Sequence, residues 1–286
     1  MPDLRSLVAE ELNLPVVPKV SAAAAAIAAR YGDSSRSVLF YGSCLREKRL
    51  DGLMLDFYLI VSDYRAAYRK GWLAALNQVI PPNVFYFERD GLVAKYAVLS
   101  ERDFVRLAGP ATSSVSVWAR FSQPSRLVWA ANEDARDLAF NAVAKAAPTL
   151  LAAAGPKPGE DPLSLWRRAF ALTYGAELRA ERKGRAGSVV DLEPERYLRF
   201  SGPALDAAQS LRPHGSWPWR RIEGKALSIA RLAKASLTFA GGADYIVWKI
   251  NRHAGTDIKL KPWQRRHPLL AGLSLLPRLL RSGAVR

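Results

Sequence analysis

Gly42, Ser43 and Asp56 are the residues of this 286-residue chain whose types and spacing best suit chemistry. They lie in Val38-Leu39-Phe40-Tyr41-Gly42-Ser43 and Met54-Leu55-Asp56-Phe57-Tyr58-Leu59-Ile60-Val61. That pattern predicts a strand, a tight turn and a second strand carrying one carboxylate in an apolar run. Glycine lets the backbone approach a phosphate with no Cβ in the way. Ser43 offers a hydroxyl and an N–H to a phosphate oxygen. A carboxylate on a buried strand is unfavourable without a cation beside it, and a hard oxygen ligand suits Mg²⁺. The chemistry implied is the handling of a phosphorylated ligand next to a divalent cation. The plainer reading is a hairpin-like turn with an ordinary surface aspartate. Tyr58 stands where a second carboxylate, spaced by one from Asp56, would complete a metal-binding pair. Asp51 and Asp63 flank the strand as further ligands or as loop residues.

The elements that must position these residues follow from pattern. A helical segment reaches about Arg30, and the alanine run Ala22 to Ala29 reads as a helix packed behind a sheet. Strands are expected at 38–41 and 53–61, and a helix over 64–79 with Tyr68, Trp72 and Leu76 at four-residue spacing. Phe85 to Glu88 and Leu92 to Ser100, joined through Asp90-Gly91, read as a hairpin. Short helices are expected at 101–107 and 115–121, and a helix capped by Asn132 runs to about Ala147. Gly155-Pro156-Lys157-Pro158-Gly159 reads as a linker, giving an expected division into 1–154, 160–240 and 241–286. The second part holds a helix from Asp161 to about Arg182 and a short strand at 188–192.

The single cysteine, Cys44, excludes an internal disulfide framework and a cysteine zinc site. No run approaches the ~20 apolar residues of a spanning helix. The N-terminus has neither a secretory core nor the composition of a transit peptide. The net charge is +16, and from Leu211 onward fifteen Lys and Arg face only Glu223, Asp244 and Asp257. A basic C-terminal third calls for an anionic partner, either a membrane surface or nucleic acid. Leu269, Leu273, Leu276 and Leu280 form a helical stripe with Arg278 and Arg281 on the other side, as in an interfacial helix. Lys259, Lys261, Arg265 and Arg266 would add electrostatic attraction to anionic lipid, about 1 kcal/mol each. Trp217, Trp219, Trp248 and Trp263 among these charges suit a headgroup layer or base stacking. No nucleic-acid module is visible, and the membrane reading is preferred. His214, His253 and His267 are too irregularly spaced for a metal site.

Several segments occur in an order that resembles one family. They are Tyr41-Gly42-Ser43, Met54 to Phe57, Asp63, Val84-Phe85-Tyr86, Ala94 to Ser100, Arg120 with Pro124, Asn132-Glu133-Asp134 with Arg136 and Asn141, and Tyr174 to Arg179. The family is the mitochondrial-type phosphatidate cytidylyltransferases, also called the translocator assembly and maintenance family; a bacterial member is expected. Cys44 departs from it, standing where a second glycine belongs. The resemblance implies an α/β fold, a nucleotidyltransferase-type mixed sheet with helices, a smaller helical winged-helix-like unit and a basic amphipathic C-terminal helix. It implies transfer of CMP from CTP to phosphatidic acid, giving CDP-diacylglycerol and pyrophosphate, at the inner face of a membrane on its cytoplasmic side. Under it, Asp56 holds Mg²⁺ or another divalent cation, and Tyr41, Gly42 and Ser43 receive the nucleotide phosphates. Lys95, alternating with apolar neighbours on a strand, reaches a phosphate or simply faces solvent. Arg120, Asn132 and Arg136 bind the triphosphate or base, although Asn132 serves equally as a helix cap and Arg136 as a surface charge. Two alternatives remain open. One is nucleotidyl transfer to RNA, protein or another small molecule, and the other is a non-catalytic nucleotide-binding protein at a membrane.

Overall fold

A computed structural model describes residues 3–47, 53–177, 189–238 and 259–266. Its centre is a mixed five-stranded sheet in the order β3-β4-β2-β1-β5. The strands are β1 (Ser35–Tyr41), β2 (Leu55–Val61), β3 (Asn83–Arg89), β4 (Leu92–Ser100) and β5 (Ser125–Ala130). β1 runs antiparallel to β2 and β5, β3 antiparallel to β4, and β2 parallel to β4. The fold is therefore mixed α/β, as expected.

Strand alternation gives the sheet two apolar faces. On one, Val38, Phe40, Phe57, Leu59 and Val98 meet Val20, Ala23, Ala24 and Ile27. These last four belong to α2 (Pro18–Ala29), which is the helix behind the sheet that the alanine run foretold. On the other, Leu39, Tyr58, Ile60 and Leu99 pack under a thicker helical layer. It comprises α1 (Leu4–Leu12), α6 (Glu101–Leu107), α7 (Trp118–Phe121), α8 (Glu133–Ala144), α9 (Ala146–Ala154), α10 (Pro162–Ala176) and α11 (Pro194–Ala208). Trp166 and Phe170 of α10 and Tyr197 of α11 belong to this same core. Residues on both sides of the Gly155–Gly159 turn thus share one apolar interior. An ion pair between Glu11 and Arg196 fastens α1 to α11.

The Asp90-Gly91 turn has positive φ at both positions, 52° and 73°, the geometry of a two-residue hairpin loop. Other expectations need correction. The predicted helix over 64–79 is broken into α4 (Tyr64–Ala67) and α5 (Gly71–Val79). Tyr68 leaves the helix and turns inward, where its hydroxyl accepts from Asn77 at 3.2 Å, so Trp72 is left exposed. The helix expected from Val115 is only α7, starting at Trp118. Val189 to Asp191 are helical, not a strand. Val189 and Val190 are both buried in the same core, which the alternation of a strand forbids. β5 carries no reading in the sequence at all.

α3 (Ser43–Glu47) follows β1 directly. α12 (Trp217–Thr238) is the longest described helix; it lies against β3 and α10. A final short helix, α13, spans Pro262–Arg266. Gly224 makes the crossing of α12 and α10 possible. A Cβ there would sit 2.3 Å from the carbonyl oxygen of Ala176. Alanine in mid-helix gains about 1 kcal/mol over glycine, but a backbone oxygen cannot give way, so the clash dominates. Gly224→Ala should destabilise the protein by about 1–3 kcal/mol net, read as a lower urea midpoint. An unchanged or raised midpoint would show that the crossing is not that close.

Candidate active site at one end of the sheet

The strand pairings place the candidate chemistry together. Tyr41, the last residue of β1, pairs with Asp56 on β2. Asp56 in turn pairs with Lys95 on the parallel strand β4. On β1's other side Tyr41 pairs with Ser125 of β5. Asp56, Tyr58, Tyr41 and Lys95 thus share one face and one end of the sheet.

Gly42 turns the chain out of β1 with φ +98°, a conformation that side-chain-bearing residues avoid. Space makes the same demand, because a Cβ on Gly42 would lie 2.8 Å from Oδ2 of Asp56. The other carboxylate oxygen, Oδ1, is 3.1 Å from Nζ of Lys95, with side-chain exposures of 18% and 42% respectively. The carboxylate is therefore held between a bare backbone turn and a cation. Ser43 begins α3 immediately after the turn. Cys44 is buried and gives its thiol to the carbonyl of Met54 at 3.4 Å, a packing role.

Tyr58 explains the absent second carboxylate. Its hydroxyl accepts from Nη1 of Arg120 at 3.2 Å, and the same Nη1 donates to the carbonyl of Ser116 at 2.9 Å. The guanidinium also lies 5.4 Å from the Tyr41 ring centre and 6.0 Å from that of Tyr58, close enough for cation–π attraction. Burial works against this charge, but the Tyr58 and Tyr41 oxygens and the carboxylates of Glu177 and Asp56 outweigh it and raise its pKa. Glu177 ends α10.

Arg231 of α12 completes the group. Its Nη1 donates to Ser116 Oγ at 3.1 Å, Nη2 to Ser114 Oγ at 3.4 Å and Nε to the carbonyl of Pro81 at 2.9 Å. One turn on, Lys234 donates to the carbonyl of Ile80. Burial, and then the Arg231 charge, push Lys234 down to about 7.

Some residues expected at the site are elsewhere. Asn132 follows β5, whose far end pairs with Ser37 near the start of β1, a strand's length from Gly42. It accepts from the backbone N–H of Ala135 and so caps α8. Arg136 bonds Glu133 and Asn13. The structure does not bring either to Asp56. Asp63 lies past the other end of β2 and caps α4. Asp51, Arg179 and Arg278 fall outside the described residues, as do the histidines 253 and 267 and the stripe over 268–280. Lys259 and Lys261 are exposed, and Arg265 and Arg266 belong to α13. Conversely, Ser114, Ser116, Arg231 and Lys234 were not read as site residues. The inward spacing of 220, 224, 227, 231 and 234 on α12 is a legible signal, masked because Arg220, Arg231 and Lys234 among them read as part of a basic tail.

Among the described residues no group of three acidic, histidine or cysteine side chains forms a metal cluster. A single carboxylate still fits Mg²⁺, which commonly takes one or two carboxylates and draws its other ligands from phosphates and water.

No protein-family model matches the chain, and no curated protein matches it. A crystal structure of a nucleotidyltransferase-like protein from Exiguobacterium sibiricum aligns over 92% of each chain at 14% identity, with a TM-score of 0.29.

Gly42→Ala should add about 1–3 kcal/mol of backbone strain and displace Asp56 from Lys95. The expected outcome is a lowered melting temperature together with loss of nucleotide-induced thermal stabilisation. Wild-type nucleotide response in a folded Gly42→Ala protein would exclude the turn as the phosphate cradle.

Proposed function

We propose that the protein is a nucleotidyltransferase that moves CMP from CTP to phosphatidic acid, releasing pyrophosphate and giving CDP-diacylglycerol. The observation that carries this is the gathering of the Gly42 turn, Asp56, Lys95 and Arg120 at one end of the sheet. It agrees with the order of segments resembling the phosphatidate cytidylyltransferases.

In this reading an oxygen of the lipid phosphate attacks the α-phosphorus of CTP in line. The bond from that phosphorus to the β-phosphate oxygen breaks, and pyrophosphate leaves with the electron pair. The nucleophile is already an anion, so no strong base is required; positioning and charge neutralisation carry the rate. The backbone at Gly42 and Ser43 receives the β- and γ-phosphates. Lys95 and Arg120 offset charge that builds toward the leaving group. Asp56, with the nucleotide's phosphates, would hold Mg²⁺, which supplies further neutralisation when bound. Tyr58 keeps Arg120 aimed.

The lipid acceptor has separate support in α12. Trp219, Ile222 and Ile229 are 53%, 65% and 61% exposed, and spacings of three and seven set them on one helical face. Arg221 and Lys225 beside them are exposed as well. Large apolar side chains flanked by cations suit an anionic bilayer surface. No helix among the described residues is long and apolar enough to cross a membrane.

Two measurements test the reading. Protein incubated with Mg²⁺, labelled CTP and phosphatidate vesicles should place label in the lipid phase, and Asp56→Ala should lower that at least about a hundredfold, by analogy with the loss of one charge-stabilising group. Undiminished turnover in folded Asp56→Ala, or label on RNA or protein instead, would overturn it. In flotation, wild type should rise with vesicles containing anionic lipid, whereas Ile222→Asp with Ile229→Asp should remain below. Equal flotation of both proteins would remove α12 from the membrane contact.

A further inference from the structure

α12 turns three of its cations inward while Arg221 and Lys225 stay exposed. Arg220, Arg231 and Lys234 point inward, while Trp219, Ile222 and Ile229 face out. Arg220 is accounted for by packing: it donates to the carbonyl of Ser113 at 3.2 Å and lies over the rings of Trp118 and Trp217. Arg231 and Lys234 are not. Lys234 is 5% exposed, yet the acceptors of both residues are neutral: carbonyls of Ile80 and Pro81 and hydroxyls of Ser114 and Ser116. Neither forms an ion pair among the described residues. Arg120 joins them, since it donates to the carbonyl of Ser116 while Arg231 donates to the hydroxyl of that residue. Two guanidinium groups therefore converge on one serine, with an ammonium a turn away.

Cations removed from water whose hydrogen-bond acceptors among the described residues are all neutral gain from an anion that arrives to pair with them. We infer that the inward face of α12 and the 112–116 loop form a phosphate-monoester subsite, with Arg231 and Lys234 as its cations, Ser114 and Ser116 as its hydroxyl donors, and Arg120 shared with the Asp56 centre. The hydroxyls suit this because each accepts from Arg231. Ser114 and Ser116 share one proton between them at 3.4 Å, leaving the other to donate to an incoming oxygen. A dianion matches these cations better than a diester does, and guanidinium binds phosphate through paired N–H groups. That this subsite receives the acceptor phosphate rests on the reading above; the subsite itself does not.

Lys234 gives the subsite a signature. Its lowered pKa of about 7 has burial as the main cause and Arg231 as the second. The other elements around it offer the carbonyls of the 80–82 turn and the hydroxyls of 112–116. Burial lowers the pKa of Arg231, Tyr58, Glu177 and Glu223 oppose that shift, and Arg120 adds to it. On β3 the charged Glu88, which accepts from Tyr86, and Arg89 lie at the hairpin end. Above pH 7 the empty subsite holds Lys234 largely neutral. A bound dianion restores its charge, so binding takes up a proton and affinity falls by up to about tenfold per pH unit above 8.

Titration calorimetry of the full chain with inorganic phosphate at pH 8, in two buffers of different ionisation enthalpy, reads this directly. Wild type should bind with uptake approaching one proton. Lys234→Met should bind at least tenfold more weakly with no uptake, and Ser116→Ala should weaken binding while keeping uptake. Equal affinity and uptake in wild type and folded Lys234→Met would overturn the subsite. So would an equal loss of CTP affinity in Lys234→Met, which would assign these groups to the nucleotide. Glycerol 3-phosphate and phosphatidylcholine vesicles carrying either phosphatidate or phosphatidylglycerol separate a free ester from a lipid headgroup. A preference for either monoester over phosphatidylglycerol upholds the subsite and names its source, whereas no preference overturns it. Phosphate binding that depends on Lys234, without label transfer to lipid, would keep the subsite and reject the activity; transfer that is intact in Lys234→Met would keep the activity and overturn the subsite's role as the acceptor site.

Discussion

The site depends on one constraint, the accommodation of the Asp56 carboxylate on a strand that is otherwise apolar. An ionised carboxylate with little exposure must be given a cation or hydrogen-bond donors. Lys95 meets that need because β2 and β4 run parallel in a register that sets the two residues opposite each other. A slip of one residue would present Ala94 or Tyr96 and send every side chain to the other face. Gly42 meets the complementary need by leaving room for Oδ2, which a Cβ there would crowd at 2.8 Å. The glycine is thus required twice at one position, for its φ and for its missing Cβ. Register and turn together hold the carboxylate between Lys95 and the Gly42 backbone.

The charge around it is unusual in its balance. Asp56 and Glu177 stand against Lys95, Arg120 and Arg231, with Lys234 close to neutrality. Replacing a second carboxylate by Tyr58 tips the site further toward cations, and the phenol then serves as an acceptor for Arg120. A site with excess buried positive charge favours polyanionic ligands and the expulsion of an anionic leaving group. It does so before any metal is considered.

Local signals in the sequence reached the sheet's centre but not its surroundings. The apolar runs of β1 and β2, the Asp-Gly hairpin and the Asn132 cap all rest on neighbouring residues, and all were legible. β5 was not, because Ser125 to Ala130 carries Arg126 and partly exposed side chains and acquires its strand character from pairing with β1. The helix over 64–79 failed for a tertiary reason, the inward turn of Tyr68 toward Asn77. Asn132 and Arg136 were joined to Asp56 by sequence order, whereas the antiparallel course of β5 carries them to the opposite end of the sheet. The cations of α12 were legible as charge but not as a site, since only packing on β3 and α10 decides which side of that helix is the inside.

Under the proposed function, that helix would link the two requirements of a phosphorylated amphiphile. Its outer face exposes two isoleucines and a tryptophan, and burying each such side chain in an apolar medium is worth about 1.5–3 kcal/mol. Its inner face holds cations that water would solvate better than carbonyls do. Packed by apolar burial alone, the helix would turn Ile222 and Ile229 inward. Gly224 blocks that rotation by seating the helix backbone against Ala176 at the end of α10, and Lys234 and Arg231 lock its other end to the carbonyls after α5. The orientation is thus held by backbone contact and polar anchoring against the hydrophobic preference of the helix itself. A bilayer under the outer face and a phosphate against the inner one would both relieve that opposition, and one phospholipid bearing a monoester headgroup supplies the two at once.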